Sequence, residues 1–225
     1  MTKPLEIIDL GTCPYGKAWD IQKELHAKRV AGEIPDTLIL VEHPHVYTLG
    51  KNANAQHLIA TQDYLKSKGI EIYNVDRGGD ITYHGPGQLV GYPIFNLKHH
   101  KESVSWYVHT VEQILINLLA LYEISAKRIE KLTGVWVGDR KIAAIGMRVS
   151  KWVTMHGFAL NVSTDLSLYD GIIPCGIVSK GITRIIDHNP DIQMEQVKRD
   201  VIDKFINLFE FNRELTLINA NKHEK

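Results

Sequence analysis

The sequence predicts an α+β fold in which a mixed β-sheet is flanked by helices. Two observations support this prediction. Amphipathic helical segments occur near both ends and in the middle of the 225-residue chain, and short apolar segments of strand character fill the stretches between them. No repeat, low-complexity tract or linker divides the sequence. We therefore expect one domain that spans residues 1–225.

Three segments have the spacing and end signals of amphipathic helices. Residues 17–31 carry apolar side chains among charges and stop at Gly32, a residue type that favours helix ends. Residues 103–122 start at Ser103, a good N-terminal cap, and continue with apolar side chains at helical spacing. Residues 192–210 place apolar and charged side chains on opposite faces. We expect these helices to cover the sheet.

Strands are predicted where short apolar or β-branched runs end in turn residues. The predicted strands are residues 37–41, 70–75, 88–95, 124–130, 133–137, 140–149 and 152–162, with a further short strand after about residue 213. Gly138-Asp139 is a turn pair that joins two of them into a hairpin. In the second strand of this hairpin, alternation places Lys141 on the same face as Ala143 and Ile145. This pattern predicts an inward-pointing lysine.

The composition excludes several classes of protein. A hydrophobic content of 44% with 23% charged residues is typical of a soluble globular protein. Twenty-six basic and 26 acidic side chains cancel, so no overall field predicts binding to nucleic acid or membrane. The local basic runs, residues 98–101 and 127–131, are interpreted as solvated surface rather than as a site for an acidic partner.

The chain also lacks the signals of an exported or membrane protein. The two cysteines, Cys13 and Cys175, cannot form a framework of disulfides, and the N-terminal residues lack the apolar run of a signal peptide. No segment approaches the roughly 20 apolar residues that cross a bilayer. We therefore expect a cytoplasmic protein.

Cys175 is the thiol whose surroundings suggest chemistry. Pro174 fixes one backbone angle before it, and Gly176 frees the next amide for unusual angles, which predicts a stiff bend. Such a bend can offer N–H groups to an oxyanion. The alternative is that Cys175 is a small buried hydrophobe. Cys13 has no comparable setting and is interpreted as structural.

Lys141 is the second candidate for catalysis. A buried ammonium needs an anion or must lose its proton, and both outcomes are useful beside a thiol. The alternative is that Lys141 lies at the strand end and reaches water. A nearby cation favours the thiolate form of cysteine. Lys141 and Cys175 together therefore predict acyl transfer through a covalent thioester.

A glycine-rich segment, residues 77–88, follows the predicted strand at residues 70–75. Its four glycines allow a close backbone approach to a ligand, and Arg77 and His84 add polar groups, which predicts a binding loop. The spacing fits neither a dinucleotide-binding fingerprint nor a phosphate loop. The alternative is a hairpin with glycines at its turns. His84 and also His156 either orient a substrate or make structural hydrogen bonds.

The histidines and cysteines do not have the spacing of a metal site. We therefore expect no metal, and no cofactor is predicted.

Five stretches carry a resemblance to a known family: residues 42–50, 77–88, 141–146, 156–162 and 174–177. Over nearly the whole chain the sequence resembles the lipoyl(octanoyl) transferases, the octanoyl-[acyl-carrier-protein]–protein N-octanoyltransferases of lipoate biosynthesis. The resemblance implies a fold similar to that of the catalytic domains of biotin and lipoate protein ligases. It also implies an acyl chain that lies in a tunnel beside the glycine-rich segment.

The same resemblance implies the residues of the site. Cys175 would carry the acyl group as a thioester, and Lys141 would tune that cysteine, so that the two form a Cys/Lys dyad. The implied substrate-binding residues are Arg77, Gly78, Gly79, Asp80, Ile81, Thr82, Tyr83, His84, Ala144, Ile145, Gly146, Gly157, Phe158 and Ala159. No catalytic role is assigned to Asp80.

The resemblance further implies the reaction and the partners. A monomeric enzyme would transfer an octanoyl group from octanoyl-acyl carrier protein to a specific lysine of lipoyl domains, in the E2 subunits of 2-oxoacid dehydrogenases and in the glycine cleavage H protein. Two alternatives are an ATP-dependent lipoate-protein ligase and a non-catalytic module that binds a lipoylated or biotinylated domain. The ligase needs no cysteine nucleophile, so the pair of Lys141 and Cys175 argues against it, whereas in the binding module Cys175 would be a plain core residue.

Overall fold

Eleven strands and four α-helices form the part of the chain that the computed structural model describes, namely residues 3–173 and 180–211 and the backbone of residues 216–219. The strands are β1 (Leu5–Thr12), β2 (Asp36–Glu42), β3 (Val46–Leu49), β4 (Glu71–Asn74), β5 (Ile81–His84), β6 (Gln88–Ile94), β7 (Lys127–Ile129), β8 (Leu132–Val137), β9 (Arg140–Ser150), β10 (Val153–Asn161) and β11 (Thr216–Asn219). The helices are α1 (Tyr15–Ala31), α2 (Gln62–Lys68), α3 (Val104–Leu121) and α4 (Met194–Phe209).

Eight of the strands form one mixed sheet in the order β11-β1-β2-β6-β10-β9-β8-β7. β1 pairs in parallel with β2 and β11, and the remaining neighbours are antiparallel. A second sheet of three strands has the order β4-β3-β5. The predicted α+β class, a mixed sheet flanked by helices, is confirmed.

Helices cover both faces of the large sheet. The largest apolar cluster lies between one face and the helices α3 and α4, and it includes Leu115, Phe158 and Phe205, each no more than 2% exposed. On the other face, α1 packs against Val90 and Tyr92. No helix in the described residues is both long enough and apolar enough to span a membrane.

The predicted helices are confirmed, and their ends lie within two residues of the predicted ones. The Oγ atom of Ser103 caps α3 by accepting a hydrogen bond from the N–H of Trp106 at 3.2 Å. The late strand predicted after residue 213 is β11. The sequence-based prediction missed β1, β3 and α2. It was wrong at β5, because this strand lies within the segment predicted as a loop. β5 forms because Ile81 and Tyr83 are buried apolar residues and pair with β3.

A buried ion-pair cluster joins the end of α1 to the start of β2. The carboxylate of Asp36, 3% exposed, accepts hydrogen bonds from Arg29 Nε at 2.7 Å, from His100 Nε2 at 2.6 Å and from the N–H of Asn96 at 2.8 Å. Burial alone would raise the pKa of Asp36, but these hydrogen bonds hold it below the ordinary value. The interpretation of residues 98–101 as solvated surface is therefore wrong for His100, whose side chain is buried against Asp36.

Candidate functional site

A cavity of about 550 Å³ lies between the glycine-rich segment and the strands β9 and β10. Thirteen of the fourteen predicted substrate-binding residues line it. They are Arg77, Gly78, Gly79, Asp80, Ile81, Thr82, His84, Ala144, Ile145, Gly146, Gly157, Phe158 and Ala159. Lys141 and His156 line the same cavity. Three distant stretches of the sequence therefore meet at one site.

Tyr83 is the predicted substrate-binding residue that does not line this cavity. Its ring is fully buried against Tyr47 and Tyr169, and its hydroxyl contacts His45 Nδ1 at 2.8 Å. The side chain thus belongs to the core beneath the small sheet. Nothing in its position supports contact with a substrate.

Arg77 anchors the glycine-rich segment and is itself buried. Its Nη2 atom donates to the carbonyl and the hydroxyl oxygen of Thr48, at 2.7 and 2.9 Å. The N–H of Gly78 donates to the carbonyl of Met147 at 2.8 Å, which fastens the segment to β9. The segment is therefore held on both the small and the large sheet. Its backbone forms one wall of the cavity.

The opposite wall needs glycine at residue 157. Gly157 pairs with Gly146 across β10 and β9. A Cβ atom on Gly157 would lie 2.2 Å from the carbonyl oxygen of Gly91, a distance that no side chain can adopt. The motif around residues 156–162 is thus explained in part by close strand packing beneath the cavity.

Two buried histidines lie beside the aromatic end of the cavity. His84 lines the cavity, stacks on Tyr15 and bonds through Nδ1 to Gln88 Oε1 at 2.8 Å. His43 lies behind it; its Nδ1 contacts the carbonyl of Cys13 at 2.7 Å, and its Nε2 contacts the hydroxyl of Tyr92 at 2.7 Å. Because a carbonyl only accepts, Nδ1 of His43 carries the proton and Tyr92 donates to Nε2.

Burial keeps these histidines neutral. Desolvation lowers the pKa of His43 to about 4 and that of His84 to about 3. His156 is equally buried, and although Asp76 bonds to its Nε2 at 2.8 Å, desolvation lowers its pKa to about 4. His84 and His156 were predicted either to orient a substrate or to make structural hydrogen bonds. Both make structural hydrogen bonds and both also line the cavity.

The three neutral histidines predict a loss of stability in mild acid. The unfolded chain binds protons at these positions below about pH 6.5, whereas the folded chain does so only near pH 4 or below. The free energy of unfolding should therefore fall by about 4 kcal/mol per pH unit near pH 5, because about three protons separate the states. Urea unfolding at pH 7, 6 and 5 measures this slope. His84→Gln should reduce this slope by about one third, because one of the three neutral histidines is removed.

Lys141 lines the cavity and is half-buried. Its Nζ atom lies 4.8 Å from the centre of the Trp136 ring, which is itself buried. A lysine Nζ at this distance from an aromatic ring makes a cation–π contact. The predicted inward orientation of Lys141 agrees with its position in the cavity.

The strand face predicted for Lys141 was wrong. β9 pairs Ala143 with Val135 but Lys141 with Trp136, so that a bulge occurs at the residue between them. Because Val135 and Trp136 are adjacent, they point to opposite faces of the sheet. Lys141 therefore shares a face with Trp136, and Ala143 faces the core beside α3 and α4. A bulge of this kind leaves no signal in the alternation of apolar residues.

Cys175, the predicted nucleophile, lies outside the described residues. The chain before it is held by the N–H of Ile173, which donates to the carbonyl of His57 at 2.8 Å. His57 in turn contacts the carboxylate of Asp80. On the other side, the N–H of Lys141 donates to the carbonyl of Gly181 at 2.9 Å. The chain after Cys175 thus returns beside Lys141.

Sequence reasoning missed several residues that line the cavity. They are Tyr15, Asn52, Val90, Tyr92, Val108, Lys131, Leu132, Thr133 and Met147. Tyr15 and Tyr92 lie on elements with ordinary core patterns. The one available signal was the position of Lys131 to Thr133 immediately before the hairpin that carries Lys141.

Comparisons with known proteins point to one family. The sequence pattern described as the lipoyl protein ligase A/B catalytic domain matches residues 14–206. An octanoyltransferase of Solibacter usitatus is 50% identical over 202 residues, which are 90% of this chain and 91% of that protein. An octanoyltransferase of Alkaliphilus metalliredigens is 52% identical over 182 residues, which are 80% of this chain and 84% of that protein. A bipartite lipoate protein ligase of Thermoplasma acidophilum has a similar structure, with a TM-score of 0.76 at 17% identity, over 96% of this chain and 88% of that chain.

Proposed function

Because this chain belongs to the family of lipoyl protein ligase A/B catalytic domains, we propose that it transfers octanoyl groups through a thioester on Cys175, with octanoyl-acyl carrier protein as the donor. The enzyme is an octanoyltransferase of protein lipoylation.

One observation carries the proposal: Lys141 and thirteen of the predicted substrate-binding residues line a single cavity. The hydrogen bond from Lys141 to Gly181 adds support, because Gly181 is six residues from Cys175.

The first step exchanges one thioester for another. The thiolate of Cys175 attacks the carbonyl carbon of the donor, the bond between that carbon and the carrier's sulfur breaks, and the carrier leaves as a thiol. Lys141 takes the proton of Cys175 and delivers it to the leaving sulfur. Since a thioester is replaced by a thioester, the step needs no ATP.

The second step forms the amide. The amine of a lysine on a lipoyl domain attacks the octanoyl carbonyl, and the sulfur of Cys175 leaves. Lys141 accepts the proton that the amine loses and returns it to this sulfur. We propose lipoyl domains of 2-oxoacid dehydrogenase E2 subunits and the glycine cleavage H protein as acceptors. Amide formation from a thioester runs downhill, so the reaction is driven forward.

We assign substrate binding to residues that line the cavity. We propose that the thirteen residues named above contact the acylated donor, with the octanoyl chain beside the glycine-rich segment, and we omit Tyr83 because its side chain lies in the core. Val90 and Ala159 belong to one apolar cluster and line the cavity, which suits a hydrocarbon chain. We further propose that the enzyme acts as a monomer in the cytoplasm, where thiols stay reduced, and that residues 1–225 form one domain.

The test is to trap the thioester. Purified enzyme is incubated with octanoyl-acyl carrier protein without ATP, and its intact mass is measured before and after treatment with hydroxylamine. We expect one octanoyl adduct that hydroxylamine removes. Cys175→Ala should lose the adduct, and Cys13→Ala should keep it, because Cys13 is buried on the far side of His43.

The other outcomes decide between the alternatives. An adduct that requires ATP and free octanoate would indicate an adenylate-forming ligase. No adduct, together with tight binding of a lipoyl domain, would indicate a binding module. Either result would replace the covalent route proposed here.

A further inference from the structure

β8 separates from β9 before either strand ends, and this opens a slot in the sheet. The pairing runs as far as Val135 and Ala143. Continued pairing would place Thr133 opposite Ile145, but the ladder stops, and both residues line the cavity. At its other end the slot is closed by the hydrogen bond from Gly78 to Met147. We call the space between Thr133 and Ile145 the β9 slot.

A buried carboxylate holds the β9 slot open. β8 turns away at Gly134, whose φ of +127° is open to glycine and strained for other residues. The N–H of Gly134 donates to Glu112 Oε1 on α3 at 3.0 Å, and Glu112 is 4% exposed. Arg128 Nε donates to the other oxygen of Glu112 at 2.9 Å. Because a buried carboxylate requires such partners, the departure of β8 is fixed rather than loose.

The backbone of Ile145 points into this slot. In an antiparallel ladder, successive residues direct their N–H and C=O groups alternately to one neighbour and to the other. The carbonyl of Met147 points away from β10, because it accepts from Gly78. Ile145 is two residues earlier and points the same way. In the described part of the chain no strand pairs with Ile145 on that side, so one N–H and one C=O face the cavity.

We propose that the β9 slot binds the secondary amide that lies next to the thioester in the pantetheine arm of the donor. The proposal rests on the function proposed above, since it assigns a place to that donor. The N–H of this amide donates to the carbonyl of Ile145. A peptide backbone would need a longer free edge, and the ladder to β8 and the contact with Gly78 close both ends.

The reach of the arm agrees with this assignment. Ile145 is four residues from Lys141 on the same strand, a distance of about 13 Å along an ideal strand. The four-carbon stem of Lys141 covers part of that distance. The amide of the arm is separated from the sulfur by two carbons, so sulfur and amide can lie near Lys141 and Ile145 at once. Val108 and Leu132 line the cavity there and offer apolar contact to those carbons.

Two small donors test the proposal without changing the enzyme. The octanoyl thioester of N-acetylcysteamine carries the amide, and the thioester of 2-mercaptoethyl acetate has an ester oxygen in place of the N–H. Single-turnover acylation is followed by intact mass, and the reaction of each thioester with a free thiol corrects for intrinsic reactivity. We expect acylation to be about fivefold slower with the ester, because one hydrogen bond to Ile145 is lost. Equal corrected rates would overturn the proposal.

A pair of variants locates the effect. Val108→Phe fills the slot and should abolish the preference for the amide, whereas Val104→Phe, one turn earlier on α3 at a residue 44% exposed, should preserve it. If Val108→Phe keeps the preference, or if it slows only the transfer from preformed octanoyl-enzyme to a lipoyl domain, the slot does not bind the donor. Acylation by octanoyl-acyl carrier protein is the positive control; its absence would refute the covalent route rather than this assignment.

Discussion

Acylation of the enzyme by octanoyl-acyl carrier protein is expected to slow by about 100-fold at neutral pH when Lys141 is replaced by alanine, since a positioned acid-base group contributes about that much. Lys141 lines the cavity, and its N–H donates to the carbonyl of Gly181, six residues after Cys175 in the sequence, which supports the proposed pairing of the two residues. A rapid-quench measurement of adduct formation gives the rate constant. The pH dependence should change as well, because the variant must rely on thiolate that forms in solvent at higher pH.

Lys180 provides the matched control. Its Nζ atom lies 5.8 Å from the same Trp136 ring, but it pairs with Asp139 at 2.9 Å. Lys180→Ala should therefore change the rate by no more than about twofold, because an exposed ion pair contributes little. Lys141→Arg separates charge from proton transfer, since arginine stays charged and does not release its proton. If Lys141→Ala acylates as fast as the wild type, the proposed dyad is refuted.

Asp36→Asn is expected to lower the free energy of unfolding by about 3 kcal/mol, because it leaves the buried charge of Arg29 without its anion. Arg29 and Asp36 are 6% and 3% exposed, so solvent screens them little. Urea unfolding at pH 7 measures the loss. Octanoyl transfer at 20 °C should be retained by the folded fraction, because the cluster lies outside the cavity.

The fall of the free energy of unfolding in acid provides the second measurement for Asp36. Its pKa is depressed in the folded state, so its contribution is present above the pKa of the unfolded chain and is lost as the pH falls through the folded value. The Asn variant should lack this part of the acid dependence. Asp203→Asn, an exposed change on α4, should not lower the free energy of unfolding at pH 7. A loss below about 1 kcal/mol for Asp36→Asn would mean that the cluster contributes no more to stability than an exposed ion pair does.

The long periodic elements could be predicted from sequence, because their patterns are carried by many residues. α3 repeats apolar residues over five turns and begins with a capping serine, and the structure begins and ends it within one residue of the prediction. β5 could not be predicted, because a four-residue strand among glycines is recognised only through its pairing with β3. The glycine-rich segment, predicted as a binding loop, lines the cavity but also contains the strand β5.

The candidate site, too, could be predicted only in part from the sequence. Motif resemblance supplied the residues of the wall, and their meeting in one cavity is a result of folding that no local pattern contains. Tyr15 and Tyr92 were missed because each is a buried aromatic residue in an element that packs on the core. The face of Lys141 was wrong because the bulge opposite Trp136 depends on the partner strand. Side-chain faces could therefore be predicted where strand pairing is regular, but not at the register shift beside Lys141.

The buried state of His84 and His156 has a consequence for the entry of a fatty chain. Both rings face the cavity, yet at neutral pH neither carries a charge. A hydrocarbon tail that slides past them therefore displaces water only from uncharged rings and never from an ion, which would resist losing its hydration. An acyl chain can thus enter a cavity that contains polar atoms, because each of these imidazoles hydrogen-bonds to a neighbour in the protein.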